Sequence, residues 1–173
     1  MQFTRALKHL FSARALTRAR FCAGDATVGA AFETERWTIL QMQRDEMKLR
    51  SEVLSMREKL LEGHPNRSEL FDLKHDRGGM IDIEFIVQYL VLANAHRFPE
   101  FVANSGNIAL LKVAGKLGLI PADAAEKVGS AYREFRRHQH GLRLNGAKYA
   151  RVPHEEVKEE IAATLALWQA VFP

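Results

Sequence analysis

Apolar residues return along this chain at intervals of three and four, the period of helices that bury one face. Leu10, Ala13, Leu16, Ala19 and Ala23 mark a first helix over about 3–23 that stops near Gly24-Asp25. A second, over about 26–42, buries Val28, Phe32, Trp37 and Ile39-Leu40. Asp45-Glu46 open a third, with Met47, Val53, Leu54, Met56, Leu60 and Leu61 on its apolar side, and Gly63-His64-Pro65 end it. The fourth, about 79–96, is different. Between residues 81 and 95 only Asp82, Glu84, Gln88 and Asn94 interrupt apolar residues, so this helix is expected to be buried almost all round.

Further on, Asn104-Ser105 cap a fifth helix through Leu117, stopped at Gly118. Pro121 and Asp123 start a sixth that runs to about Gly141, and Pro153 starts a seventh that ends near Phe172. The polar link from Asn66 to Arg77 reads as extended at Phe71-Asp72-Leu73, and strand signals are otherwise nearly absent. The expectation is one all-α domain over residues 1–173, a bundle of about six or seven helices around the fourth.

Composition narrows the class. A hydrophobic share of 47% and a charged share of 27% suit a globular protein. No run reaches the roughly 18 apolar residues of a membrane span, so no membrane partner is expected. The single Cys22 excludes an internal disulfide and reads as a buried, unreactive thiol in a reducing compartment. Residues 1–24 carry Arg5, Lys8, Arg14, Arg18 and Arg20 without an acid, as in a mitochondrial transit peptide, but they are not Ser-rich, and the expected compartment is the cytoplasm. The net charge of +4 permits anionic partners and compels none.

The densest chemistry lies between Phe71 and Phe85. Lys74 and Arg77 precede Gly78-Gly79, which lead into the apolar fourth helix. Paired glycines let a ligand approach the backbone, and a helix start offers N–H groups and partial positive charge, so phosphate or carboxylate binding is one reading. A plain turn with solvated charges is the other. Asp82 and Glu84 lie about 200° apart around the axis and must meet different neighbours. A buried carboxylate needs a partner, and Arg18 or Arg20 of the basic first helix are the candidates. That pairing serves either to lock two helices together or to shape a ligand site.

Weaker signals add little. Arg136-Arg137-His138-Gln139-His140 makes a basic helix end, but His138 and His140 do not share a face, so no metal site is assigned. Trp37 and Trp168 read as packing residues. No phosphate-binding loop, dinucleotide fingerprint or nucleophile elbow occurs. Without basic-aromatic interleaving, a small nucleic-acid-binding protein is the remotest reading.

Taken together, Leu73-Lys74, Gly78-Gly79, Asp82-Ile83-Glu84-Phe85 and Gln88-Tyr89-Leu90 resemble the helical region behind the nucleotidyltransferase domain of glutamine synthetase adenylyltransferases. Ala15-Leu16-Thr17-Arg18-Ala19-Arg20, Gly24-Asp25, Glu52-Val53 and Met56-Arg57-Glu58-Lys59 support the resemblance upstream. It covers residues 13–97 well and the rest loosely. Related uridylyltransferases carry helical domains of the same type, and the Asp82-Ile83-Glu84 form is similar to the C-terminal, adenylylating half.

That resemblance implies a role in transferring AMP from ATP, with Mg²⁺, to a tyrosine of glutamine synthetase. It also implies three partners: a nucleotidyltransferase domain, glutamine synthetase itself and a nitrogen-signalling regulatory protein. The Asp-x-Asp pair that holds Mg²⁺ in the family's catalytic domain does not occur here, and Leu10-Phe11-Ser12-Ala13-Arg14 replaces the expected Trp-Glu-His-Gln. The chain is therefore expected to be an accessory region without catalytic residues, metal or cofactor of its own, with residues 1–12 outside the family pattern. Lys74, Arg77, Gly78 and Gly79 would face the nucleotide, and Asp82 and Glu84 would orient those basic groups. A protein-interaction bundle that docks glutamine synthetase or its regulator is the alternative.

Overall fold

The computed structural model describes residues 10–103 and 106–173, and of residues 10–12 the backbone only. Seven α-helices make up most of the described chain: α1 (Leu10–Leu16), α2 (Ala26–Leu40), α3 (Glu46–Gly63), α4 (Met80–Asn94), α5 (Asn107–Lys116), α6 (Ala122–Leu144) and α7 (Lys158–Val171). Short 3-10 turns at Pro99–Val102 and His154–Val157 and a two-residue antiparallel pair, β1 (Phe71–Asp72) with β2 (Arg151–Val152), complete it. The all-α expectation holds. Among the described residues no helix is long and apolar enough to cross a membrane.

The chain divides into two compact units, residues 1–52 with 88–106, and residues 53–87 with 107–173. In the first, α1 ends at Leu16 rather than near residue 23. Beyond Leu16, Arg18, Arg20, Phe21 and Cys22 are exposed, so no core rewards another turn, and Thr17 turns its hydroxyl back to donate to Arg14 O at 2.7 Å. Cys22 is thus an exposed thiol, contrary to expectation. The expected helical residues 3–9 and the Asn104-Ser105 cap lie outside the described residues.

Helix α2 starts where Asp25 accepts from the amides of Thr27 (2.8 Å) and Val28 (3.0 Å), an N-cap. It buries Ile39 and Leu40 as expected, but not the other expected side chains. Val28, Phe32 and Trp37 are exposed, while Arg36 is 2% exposed beside buried Ile39 and Leu40. Arg36 can sit inside because its nitrogens are occupied: Nε donates to Leu16 O and Nη1 to Val102 O, both at 3.0 Å, with Glu33 at 3.3 Å. In the same unit Gln88 accepts from Arg14 Nε at 2.6 Å, so the polar interruption of α4 is satisfied there.

In the second unit, α5 and α7 both pack on α6. Buried Leu110, Leu111, Val128, Phe135 and Leu167 belong to its core. Helix α6 runs almost one turn past the expected Gly141. Asn145 and Gly146, the latter at φ 78°, then close it, with Ala147 N donating back to Leu142 O at 2.9 Å. Trp168 packs on Phe172 with ring centroids 4.5 Å apart. The buried stripe of α3 runs Leu49, Val53 and Arg57, four residues apart, whereas Met47 is exposed. An arginine thus continues an apolar row.

Candidate functional site

The Phe71–Phe85 segment builds the turn that delivers the chain into α4. Three carboxylates organise it. Asp72 Oδ1 accepts from the amides of Lys74 and His75, each at 3.0 Å, and faces His75 Nδ1 at 3.2 Å. Its Oδ2 takes Arg151 Nε at 3.4 Å, across the β1–β2 pair. Asp76 Oδ2 accepts from Asp72 N at 2.8 Å and Asn66 Nδ2 at 2.7 Å. Asp82, on the first turn of α4, takes Arg57 Nε on one oxygen and the amide of Gly78 on the other at 2.6 Å.

Arg57 therefore lies under the turn, 1% exposed, and its Nη2 also donates to His75 O (2.9 Å) and Asp76 O (3.3 Å). For Asp82 the partner is neither Arg18 nor Arg20, the candidates the sequence offered. Both are exposed, and the cation comes from the α3 stripe instead. Glu84, on the other side of α4, accepts from Tyr132 Oη at 3.0 Å, so the two carboxylates do meet different neighbours. Asp82 orients Arg57 and the glycine turn, not Lys74 or Arg77.

Both glycines are required. Gly78 has φ +84°, and a Cβ there would come 2.9 Å from Ile161 Cγ2. One on Gly79 would come 2.9 Å from Leu73 O. The helix-start amides are spent inside the turn: Gly79 N donates to Asp76 O, Met80 N to Leu73 O and Ile81 N to Lys74 O, at 3.0, 2.9 and 3.2 Å. With Gly78 N on Asp82, the Asp82 carboxylate itself takes the place of the anion expected at this helix start. What the turn offers outward is side chains. Lys74 is exposed, and Arg77 is about half exposed and paired with Glu58. The four residues read as nucleotide-facing share one turn, with Gly78 and Gly79 buried as its hinge and Lys74 and Arg77 on its surface.

Mg²⁺ does not fit these acids. Both oxygens of Asp72 and of Asp82 already accept from protein donors, as does Asp76 Oδ2, which leaves no open oxygen set. Among the described residues no group of three His, Cys, Asp or Glu side chains is placed to hold a metal ion.

His75 makes the turn acid-sensitive. Its ring stacks on that of His64, centroids 4.4 Å apart and planes within 4°. Burial lowers its pKa below the ordinary 6.5, Asp72 pulls the other way without cancelling this, and His64 and Lys74 lower it further. For Asp72, burial alone would raise the pKa. The amides of His75 and Lys74 and the His75 ring outweigh it, leaving the carboxyl below its usual 3.8. Each group binds fewer protons folded than unfolded, so each adds stability that is lost on acidification. The His75 contribution is full above pH 6.5 and fades as pH falls from there; that of Asp72 is full above 3.8 and fades below. Urea denaturation across pH should therefore show stability falling from about pH 6.5, and His75→Gln should flatten that first decline. An undiminished decline in the variant would remove His75 from this account.

Arg57, Asp72, Asp76 and Arg151 were not singled out from the sequence. The Leu49, Val53, Arg57 spacing and the Asp72-x-x-x-Asp76 pair were the available signals; nothing local marks Arg151 as the partner of Asp72.

The class this architecture defines is a helical domain whose central apolar helix is entered through a carboxylate-braced double-glycine turn. A family model described as GlnD PII-uridylyltransferase matches residues 46–171, and the chain belongs to that family. It is also similar to proteins named bifunctional glutamine synthetase adenylyltransferase/adenylyl-removing enzyme. With the one from Aromatoleum aromaticum it is 55% identical over 159 residues, 92% of this chain and 17% of the relative. With that from Bordetella bronchiseptica the identity is 58% over 158 residues, 91% and 17%. With that from Nitrosomonas europaea it is 50% over 173 residues, 92% and 19%. The chain thus spans under a fifth of the length of these relatives, and it corresponds to part of such an enzyme, as the Leu73–Leu90 motif suggested.

Proposed function

We propose that the chain acts as the helical accessory domain of a glutamine synthetase adenylyltransferase and is inert by itself. In the intact enzyme the Asp-x-Asp catalytic domain would hold ATP and Mg²⁺ and transfer AMP to a tyrosine of glutamine synthetase. The turn at residues 72–82 would border that cleft, with Lys74 steadying the triphosphate or the incoming tyrosine segment. One observation carries this reading. A turn fixed by three carboxylates and a buried arginine displays Lys74 on a rigid mount, and rigidity is what positioning of a reacting group requires.

Calorimetric titration of the chain with Mg·ATP should give no tight binding and no AMP transfer; transfer would overturn the claim of inertness. In the full-length Aromatoleum aromaticum relative, alanine at the position of Lys74 should lower the transfer rate by about tenfold or more, the usual scale for a charge that steadies a transition state. An unchanged rate would remove Lys74 from the cleft.

A second reading is favoured by the exposed apolar side chains of α2. Val28 and Phe32, 68% and 36% exposed and one turn apart on the helix, suit a docking face for glutamine synthetase or a nitrogen-signalling regulator. Retention of either protein by the immobilised chain would support it.

A further inference from the structure

The last three turns of α6 and the segment that follows form a strongly basic surface of the second unit. From Tyr132 to Arg151 there are six Lys and Arg residues against one acid, Glu134. At 100° per residue, Arg133, Arg136, Arg137, His140, Arg143 and Leu144 fall within about 120° of the helix circumference. All six are exposed, and Leu144, at 87%, is an apolar side chain among cations. Glu134 pairs with Arg137, 2.7 Å away, and lies 4.0 Å from the His138 ring nitrogen. Arg143 Nη1 donates to Ala147 O and Lys148 O, which folds the following segment back against the helix end. Through Leu73 N on Ala150 O this segment joins the turn that carries Lys74, so the basic surface reaches the candidate site.

We propose that this face docks an acidic polypeptide segment carrying an apolar side chain, the cations receiving its carboxylates and Leu144 its apolar group. Charge complementarity sets the sign of the partner, and Leu144 argues for a peptide. Nucleic acid fits less well. The exposed tyrosine of the surface, Tyr149, already has Arg151 Cζ 4.4 Å and Lys148 Nζ 5.3 Å from its centroid, so these cations compete with a base for its face. Binding that rests mainly on exposed charges is screened by salt, so the contact is a salt-sensitive one. The proposal stands apart from the cleft assignment of Lys74, and its test leaves Lys74 untouched.

The probe is a fluorescein-labelled dodecapeptide of four Glu-Glu-Leu repeats, titrated by anisotropy with the 173-residue chain at low salt, against a Gln-Gln-Leu control and a single-stranded oligonucleotide of equal charge. The acidic peptide should bind at least about tenfold more tightly than either comparison probe. Arg136→Gln with Arg137→Gln should abolish most of that preference, and Leu144→Ala should weaken the acidic peptide without changing its salt dependence. Circular dichroism melts of these surface variants should match the parent. Equal binding of both peptides, indifference to the arginine pair, or tighter binding of the oligonucleotide would each overturn the proposal, the last assigning the face to nucleic acid.

Discussion

Replacing Asp82 by alanine should cost about 3–5 kcal/mol of folding stability, the range found when one partner of a buried ion pair is removed. The loss is large because one side chain serves two buried donors. Arg57, 1% exposed, would keep its charge without a counterion, and the amide of Gly78 would lose its acceptor. Arg57 is already imperfectly satisfied, with Nη1 enclosed and without a hydrogen-bond partner. Against a typical total of 5–15 kcal/mol, the chain would be close to its limit. Asp82→Asn should lie between parent and alanine variant, since its amide oxygen keeps one acceptor. Guanidinium denaturation followed by circular dichroism gives the order. Removing both charges, as Arg57→Met with Asp82→Leu, should restore much of the loss, because apolar groups of similar volume often replace a buried pair at little cost. A double variant no more stable than Asp82→Ala would mean that the damage lies in the turn's hydrogen bonds and not in the stranded charge.

Gly78→Ala is the second substitution with a large expected effect. At φ +84° an L-residue loses about 1–2 kcal/mol to the left-handed conformation. The new methyl would also meet Ile161 Cγ2 at 2.9 Å and Ile161 O at 3.2 Å, overpacking that costs about 1–3 kcal/mol. The sum is about 2–5 kcal/mol. Gly146 supplies the control, since it has φ +78° but no atom within 4 Å of a Cβ. Gly146→Ala should lose only the conformational part. If the two variants prove equally stable, the turn does not rest on α7 as closely as described.

The helices were legible because many of their boundaries are written in local chemistry, with Asp25 and Pro121 at starts and Gly63-His64-Pro65 and Gly118 at stops. The motif turn was legible too, down to the strand at Phe71-Asp72. Side-chain burial was not, and the failures share one cause. Arg36 and Arg57 lie inside because distant carbonyls and one carboxylate receive their N–H groups, and sequence does not show which partners a fold will bring. With Arg36 on the inward side of α2, Val28 and Trp37 lie on its two flanks and are exposed, against their hydropathy. The anion-cradle reading missed Asp82 folding back on Gly78 for a related reason. A carboxylate on the first turn of a helix looks the same on paper whether it greets a ligand or fills the ligand's place.

The strand pair of two residues has a consequence out of proportion to its size. Asp72 and Arg151 are 79 residues apart, and between them lie the whole of α4, α5 and α6. Closing so long a loop is entropically costly and gains little by itself, so this clasp forms late, after the intervening helices have brought its ends together. The geometry around Lys74 thereby becomes a readout of assembly. A chain nicked between α6 and β2 would keep α4 to α6 and lose the clasp, so the final geometry of the turn depends on the segment that reaches it last.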